Sequence, residues 1–332
     1  MRILVVGCGS VGRRHAENAR QYADVGILDI DAARADDMAK RLDAFRFDDW
    51  GKARAWQPDG VVIASPTADH LLHARQAIGF GAAILIEKPI SHDPTGVAEM
   101  LATAEQCDVR VFVGCNMRYH PGPATLHAAL GQIGKPLFAR AQYGSYLPAM
   151  RPGIDYRTLY VAHTETGGGV ILDSIHEIDY LGWLLGPIAS VTATSGRISD
   201  LEIEAEDYAA LALRHVSGCR SEIHLDYVQQ FKRRGCEIVG TEGTLIWSSE
   251  GKSPEHCSVR LFRAKDQSWE TLYESKAIDS NLMYAELMRR FSASISSEPD
   301  KTLQTGVDAY RSLVVATLAR SRPDAYQHHL DL

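Results

Sequence analysis

Residues 3–12 read Ile3-Leu4-Val5-Val6-Gly7-Cys8-Gly9-Ser10-Val11-Gly12. A short apolar run that ends in Gly7-x-Gly9-x-x-Gly12 predicts a buried strand, a tight turn and the start of a helix. In such a turn the first glycine allows the sharp bend. The second lets backbone approach a pyrophosphate, and the third lets helix and strand pack closely. The amides of the helix start, around Ser10 and Val11, then face the phosphates with the positive end of the helix dipole. Asp29 ends the next apolar run, Val25–Asp29, about 20 residues on, where a carboxylate takes ribose hydroxyls. It would repel a 2′-phosphate, so the pattern favours NAD over NADP. Arg34, five residues later, could pair with such a phosphate and keeps NADP as the lesser alternative.

Outward from this stretch, apolar runs at Val61–Ser65, Ile84–Glu87 and Val109–Gly114 alternate with helical patterns at Gly12–Tyr22, Asp69–Phe80 and Pro94–Cys107. Asp93-Pro94 reads as a helix start. The alternation predicts an α/β fold with a doubly wound parallel sheet, the Rossmann arrangement. After residue 120 the texture changes. A single helix is expected over Gly167–Leu185. Strand-like segments then follow one another: Ser190–Arg197, Tyr208–Arg214, Arg220–Tyr227, Cys236–Gly240, Thr244–Trp247 and Ser258–Phe262. Successive strands imply a C-terminal α+β domain with an open, largely antiparallel sheet. Helical patterns near 280–296 and 306–320 close the chain. The boundaries expected are 1–118 for the nucleotide-binding domain and 119–332 for the second, with helix 306–320 packing back on the first.

The bulk properties narrow the classes of function. The chain has 332 residues and a formal net charge of −7, which argues against nucleic acid as partner. No apolar run nears the roughly 18 residues of a membrane span. Met1–Gly7 reads as a strand and not as a signal peptide. The six cysteines form no C-x-x-C pair, so neither a zinc site nor a disulfide framework is expected, and the thiols read as cytoplasmic.

Further motifs sit in order along the chain: Ser65-Pro66-Thr67-Ala68-Asp69-His70, Glu87-Lys88-Pro89, Asn116-Met117-Arg118-Tyr119, Gly167-Gly168-Gly169-Val170-Ile171-Leu172-Asp173, and Ile175-His176-Glu177-Ile178-Asp179. Together they resemble the glucose–fructose oxidoreductase/inositol dehydrogenase/MocA family over nearly the whole chain. The resemblance implies cofactor contacts at Gly7, Gly9, Ser10, Val11, Gly12, Asp29, Ser65, Pro66, Thr67, His70, Glu87, Lys88 and Asn116. It places Lys88 beside the nicotinamide and the reacting hydroxyl. It also implies an open sheet that supports a homodimer or homotetramer, and catalytic groups on the second domain's first long helix.

On that helix Ile171, Ile175, Ile178, Gly182 and Leu185 fall on one stripe at about 100° per residue. Asp173, His176, Glu177 and Tyr180 fall opposite, so Asp173 could orient His176 as a general acid/base. Members resembling inositol dehydrogenase have the acid four residues before the histidine, where this chain has Leu172. Tyr156, Arg157, Tyr160 and His163, just upstream, and Arg118 are candidate substrate contacts. His224, Asp226 and Tyr227 lie along a strand, with His224 and Asp226 on one face that reads as solvated, and Lys232-Arg233-Arg234 and His328-His329 read as surface. The expectation is an NAD-dependent enzyme that moves hydride at a secondary alcohol or ketone of a sugar, inositol, sugar derivative or nucleotide sugar. Rival readings are a redox-assisted glycoside hydrolase and a dinucleotide-binding sensor.

Overall fold

The computed structural model describes residues 1–251, 255–321 and 327–329. The chain begins with β1 (Arg2–Val6), α1 (Ser10–Ala19), β2 (Asp24–Leu28), α2 (Ala32–Leu42), β3 (Phe45–Phe47), α3 (Trp50–Ala55), β4 (Gly60–Ile63), α4 (His70–Ile78), β5 (Ala83–Ile86), α5 (Val97–Gln106) and β6 (Val111–Val113). It continues through α6 (Pro121–Ala129), β7 (Pro136–Gly144), α7 (Val170–Asp173), α8 (His176–Leu185), β8 (Ile188–Gly196), β9 (Tyr208–His215) and β10 (Arg220–Asp226). Then come β11 (Arg233–Gly240), β12 (Gly243–Glu250), β13 (Glu255–Arg263), β14 (Ser268–Ile278), α9 (Asn281–Ser296), β15 (Gln304–Thr305), α10 (Gly306–Ser321) and β16 (Gln327–His329).

Two compact units result. The first is Met1–Asn116 with Ser280–Tyr310, and the second is Met117–Asp279 with the chain from Arg311 on. The first unit's sheet runs β15-β6-β5-β4-β1-β2-β3, parallel except for β15. Ile3, Leu4, Val5, Val61, Val62, Ile63, Ile84, Leu85 and Ile86 are all fully buried, which is why these strands read as continuous apolar runs. Strand order reverses between β1 and β4, and ligands of open α/β sheets bind at such a crossover, beyond the C-terminal strand ends.

Several elements depart from the sequence reading. Residues 280–310 were assigned to the second domain, yet they complete the first. Phe291 of α9 lies edge-on to Phe112 of β6, with ring centroids 6.3 Å apart. Arg110 donates to the carbonyls of Ile295 and Ser297 at 2.8 Å, and β15 extends the sheet beside β6. Helix α10 begins in the first unit. Its later turns belong to the second, where Ser195 Oγ donates to the Ala319 carbonyl at 2.9 Å. Helix α5 starts a turn later than Asp93-Pro94 suggested, because Asp93 spends its carboxylate on the Thr95 amide in a turn.

Among the described residues, the second unit's strands run β14-β13-β12-β11-β7-β10-β9-β8-β16, and only β7 and β10 pair in parallel. One face buries Ala141, Leu211, Ile223, Ile238 and Leu245 against α6, α7 and α8. The other presents Arg140, Gln142, Thr192, Thr194, Ala212, Glu222 and His224. The same face also carries the Phe138 ring, with Arg140 over it, and Tyr208, edge-on to His224, so it mixes charged, small and aromatic side chains.

Candidate active site

Three loops leave the C-terminal edge of the first sheet on neighbouring strands: the glycine loop after β1, Ser65–Asp69 after β4, and Glu87-Lys88-Pro89 after β5. The glycines do different work. Gly7 has φ +96°, and a Cβ there would come within 2.6 Å of the Ala64 carbonyl. A Cβ on Gly12 would strike the Gly7 carbonyl at 1.8 Å. A Cβ on Gly9 would meet nothing within 4 Å. The protein's own packing therefore explains Gly7 and Gly12 but not Gly9, whose bare backbone faces space that a ligand can fill. No side chain caps α1, so its first-turn amides are left for an anion.

Asp29 follows β2. Its Oδ2 accepts from the Cys8 amide at 2.5 Å and its Oδ1 from the Asp31 amide at 2.7 Å. The carboxylate is thereby fixed against the glycine loop. Burial, and then the Asp29 charge, push the Cys8 thiol up to about 12, so it stays protonated. Arg34 Nε is spent on Asp31 at 2.9 Å, and Arg34 Nη2 lies 3.8 Å from Asp29. Its charge is answered within the loop, which favours the ribose diol over a 2′-phosphate. These residues fit a dinucleotide.

Two residues predicted as cofactor contacts also bond within the protein. Both ring nitrogens of buried His70 face carbonyls: Nδ1 that of Pro89 at 2.9 Å and Nε2 that of Ser65 at 3.0 Å. His70 fastens two of the loops together. Burial drives its proton affinity down, against the two carbonyls that raise it, so the neutral ring donates to one carbonyl at a time. Glu87 is also buried. Its Oε1 meets His15 Nε2 at 2.5 Å, and its Oε2 accepts from the Lys88 amide at 3.2 Å. The Lys88–Pro89 peptide is cis. Asn116, buried, closes this unit.

In the second unit the single helix expected over Gly167–Leu185 is two. Gly167 and Gly169 have positive φ, and a Cβ on Gly168 would lie 2.5 Å from the His163 carbonyl. The glycines therefore form a turn, and α7 starts only at Val170. The chain kinks at Ser174 and α8 restarts at His176. Of the face opposite the apolar stripe, His176, Glu177 and Tyr180 are buried and Asp173 is half-buried. Glu177 is fully buried and takes a two-pronged bond from Arg234, at 2.6 and 3.1 Å. Tyr180 is buried edge-on to Trp247. His176 is itself only 7% exposed.

Asp173 accepts from Tyr160 Oη at 2.7 Å and from Tyr227 Oη at 3.3 Å. Tyr160 thus joins the acid, whereas its neighbours do not. Arg157 is clamped by Asp155 and Glu202, Tyr156 Oη accepts from the Glu202 amide, and His163 Nε2 meets the Arg157 carbonyl. Arg118 is buried and bound by Asp179, with its shortest contact 2.5 Å. The pair is buried within the second unit.

Residues 1–115 match the oxidoreductase family with an NAD-binding Rossmann fold, and residues 127–246 match the GFO/IDH/MocA C-terminal domain. The chain belongs to the Gfo/Idh/MocA oxidoreductases. It is 28% identical over 299 residues to an inositol 2-dehydrogenase of Acidothermus cellulolyticus, covering 85% of this chain and 82% of that one. It is 27% identical over 259 residues to a 1,5-anhydro-D-fructose reductase of Ensifer adhaerens, covering 75% and 73%. The fold matches an oxidoreductase of Agrobacterium radiobacter, solved with NAD+, L-tartaric acid and magnesium. That TM-score is 0.82 at 20% identity, over 99% of this chain and 98% of the other.

In this Gfo/Idh/MocA oxidoreductase several residues have surroundings other than those their sequence pattern suggests. Tyr227, given no role by its sequence, is fully buried with its hydroxyl on Asp173. Asp226 caps the turn after β10 through the Val228 and Gln229 amides, and only His224 of that trio is half exposed. Lys232 and Arg234, taken for surface, pair with Glu255 and Glu177. His328 and His329 fall in β16, whose side chains lie outside the described residues. His15 was missed, although it falls beside Gly12, Ala16 and Ala19 on the buried stripe of α1. A histidine on an apolar stripe was the available signal. Among the described residues no helix is long and apolar enough to cross a membrane.

Proposed function

We propose that this NAD-binding oxidoreductase interconverts a secondary alcohol and a ketone on a sugar, inositol or sugar derivative. The observation that carries the reading is Lys88, at the end of β5 on the edge that also bears the phosphate loop. Relatives named for inositol and anhydrofructose chemistry supply the substrate class. NAD, when bound, takes up or returns the hydride. His176 takes the hydroxyl proton. Asp173, held by Tyr160 and Tyr227, tunes it. The Lys88 ammonium stabilises the developing alkoxide. Gly9, the α1 amides and Asp29 hold the pyrophosphate and ribose. The cysteines, none of them in a disulfide among the described residues, support a reducing compartment such as the cytoplasm, and the second unit's open sheet supports a homodimer or homotetramer.

NADH formation from NAD, followed by absorbance over a panel of inositols, aldoses, anhydro sugars and nucleotide sugars, tests the reading. Turnover of at least one secondary alcohol is expected. Release of phenol from aryl glycosides without net NADH would replace it with glycoside hydrolysis. Tight NAD binding with no turnover anywhere on the panel would replace it with a sensor.

A further inference from the structure

We propose that His15 is a positioning residue for Lys88, acting through Glu87; the inference rests on the role given to Lys88 above. His15 is fully buried on α1, and its Nε2 lies 2.5 Å from Glu87 Oε1. The other carboxylate oxygen accepts the backbone N–H of Lys88 itself. One residue further on, the Pro89 carbonyl is held by His70. The lysine's main chain is thus tied on both sides by buried imidazoles, one direct and one relayed. Room is kept for the carboxylate, since a Cβ on Gly114 would stand 2.8 Å from Glu87 Oε1.

Stability alone does not ask for this arrangement. A buried acid–imidazole pair contributes little net stability compared with well-packed apolar side chains. It does fix direction and distance. Helix α1 carries the phosphate-binding amides at its start and His15 a turn and a half later. The contact therefore registers the phosphate-binding helix against the strand end that carries Lys88. An error of about 1 Å in such a register costs roughly a hundredfold in rate.

Trace acetylation of the full chain with acetic anhydride, read on the Lys88 peptide by mass spectrometry with and without saturating NADH, tests this without a substrate. In the native chain NADH should slow Lys88 acetylation by about tenfold or more. In His15→Phe and Glu87→Gln, NADH should bind within about threefold of native while the protection shrinks to about twofold. His15→Gln, whose amide nitrogen can replace Nε2 as donor, should restore it. Native-level protection in folded His15→Phe or Glu87→Gln overturns the proposal. So does loss of NADH binding in all three variants, which would mark the pair as scaffold. If NADH fails to protect Lys88 in the native chain, the placement of Lys88 at the cofactor fails first, and the proposal with it.

Discussion

Tyr160 donates its phenol hydrogen to Oδ1 of Asp173 at 2.7 Å, across thirteen residues and the glycine turn between them. Tyr227 reaches the same carboxylate from β10's end, and burial holds its phenol well above the usual range, so it remains a donor. The two phenols do different jobs. Tyr160 is 39% exposed and Tyr227 fully buried. Tyr160→Phe should leave the melting temperature near native and lower kcat by about three- to tenfold, the worth of roughly one hydrogen bond. Tyr227→Phe should cost about 1 kcal/mol of stability. Thermal unfolding and steady-state kinetics separate them; a stability loss from Tyr160→Phe equal to that of Tyr227→Phe would contradict the division.

His176→Ala should lower kcat by about 10² to 10⁴ on a confirmed substrate, with NAD affinity within about threefold. Asp173→Asn should cost less, because its oxygen can still accept from one tyrosine. Activity of His176→Ala within about threefold of native, roughly 0.65 kcal/mol of barrier, would remove it from the mechanism. The proton would then pass to Lys88 or Tyr160.

NAD should bind better than NADP, since Asp29 stands fixed by two amides and Arg34 is committed to Asp31. Asp29→Ser should narrow the preference. It should also weaken NAD itself, because the Cys8 amide loses its anchor and the glycine loop its fixed position. Fluorescence titration with NADH and NADPH checks both; tighter NADPH binding by the native chain would reverse the assignment.

What could be read in the sequence depended on periodicity. The first sheet was legible because strands buried on both faces show as unbroken apolar runs, as in Ile3–Val6 and Ala83–Ile86. Strand β7 was missed because Arg140 and Gln142 interrupt its inward alanines. The placement of the glycines and Lys88 at strand ends was legible, because it follows from chain direction. The site was illegible where burial of charge decided the outcome. Glu177, Asp179 and Arg118 look like surface residues by type. They lie inside because each found a partner distant in the sequence: Arg234 for Glu177, and Arg118 and Asp179 for one another.

An oligomer formed through the open face of the second sheet would be held in part by charged contacts. Arg140 pairs there with Glu222 and Glu237 beside the Phe138 ring, so the interface should be more sensitive to salt than a wholly apolar one. Light scattering at micromolar concentration should give a dimer or tetramer, and raising salt to about 1 M should shift it toward the single chain. A single-chain mass at low salt would refute association.

Acid should weaken the second unit in two steps, both traceable to one cluster. His120 Nδ1 accepts from the Gly122 amide and Nε2 faces Glu255 at 3.1 Å, so the ring is neutral with its proton on Nε2. Burial foremost lowers its proton affinity, despite Glu255. Glu255 is pushed the other way by burial, but His120 and Lys232 outweigh this and bring it down to about 2. Both groups bind protons more readily unfolded than folded, so both contributions are present at neutral pH and fade as pH falls. The His120 share fades first, below its ordinary value of about 6.5. The Glu255 share fades between about 4.5 and 2 and is worth about 3 kcal/mol at order of magnitude. Glu255→Gln should therefore be less stable than native at pH 7, and the gap should close as pH approaches 2. Urea unfolding at a series of pH values reads this directly. A gap that stays constant from pH 7 to pH 2.5 would mean that the Glu255 charge contributes nothing to the fold.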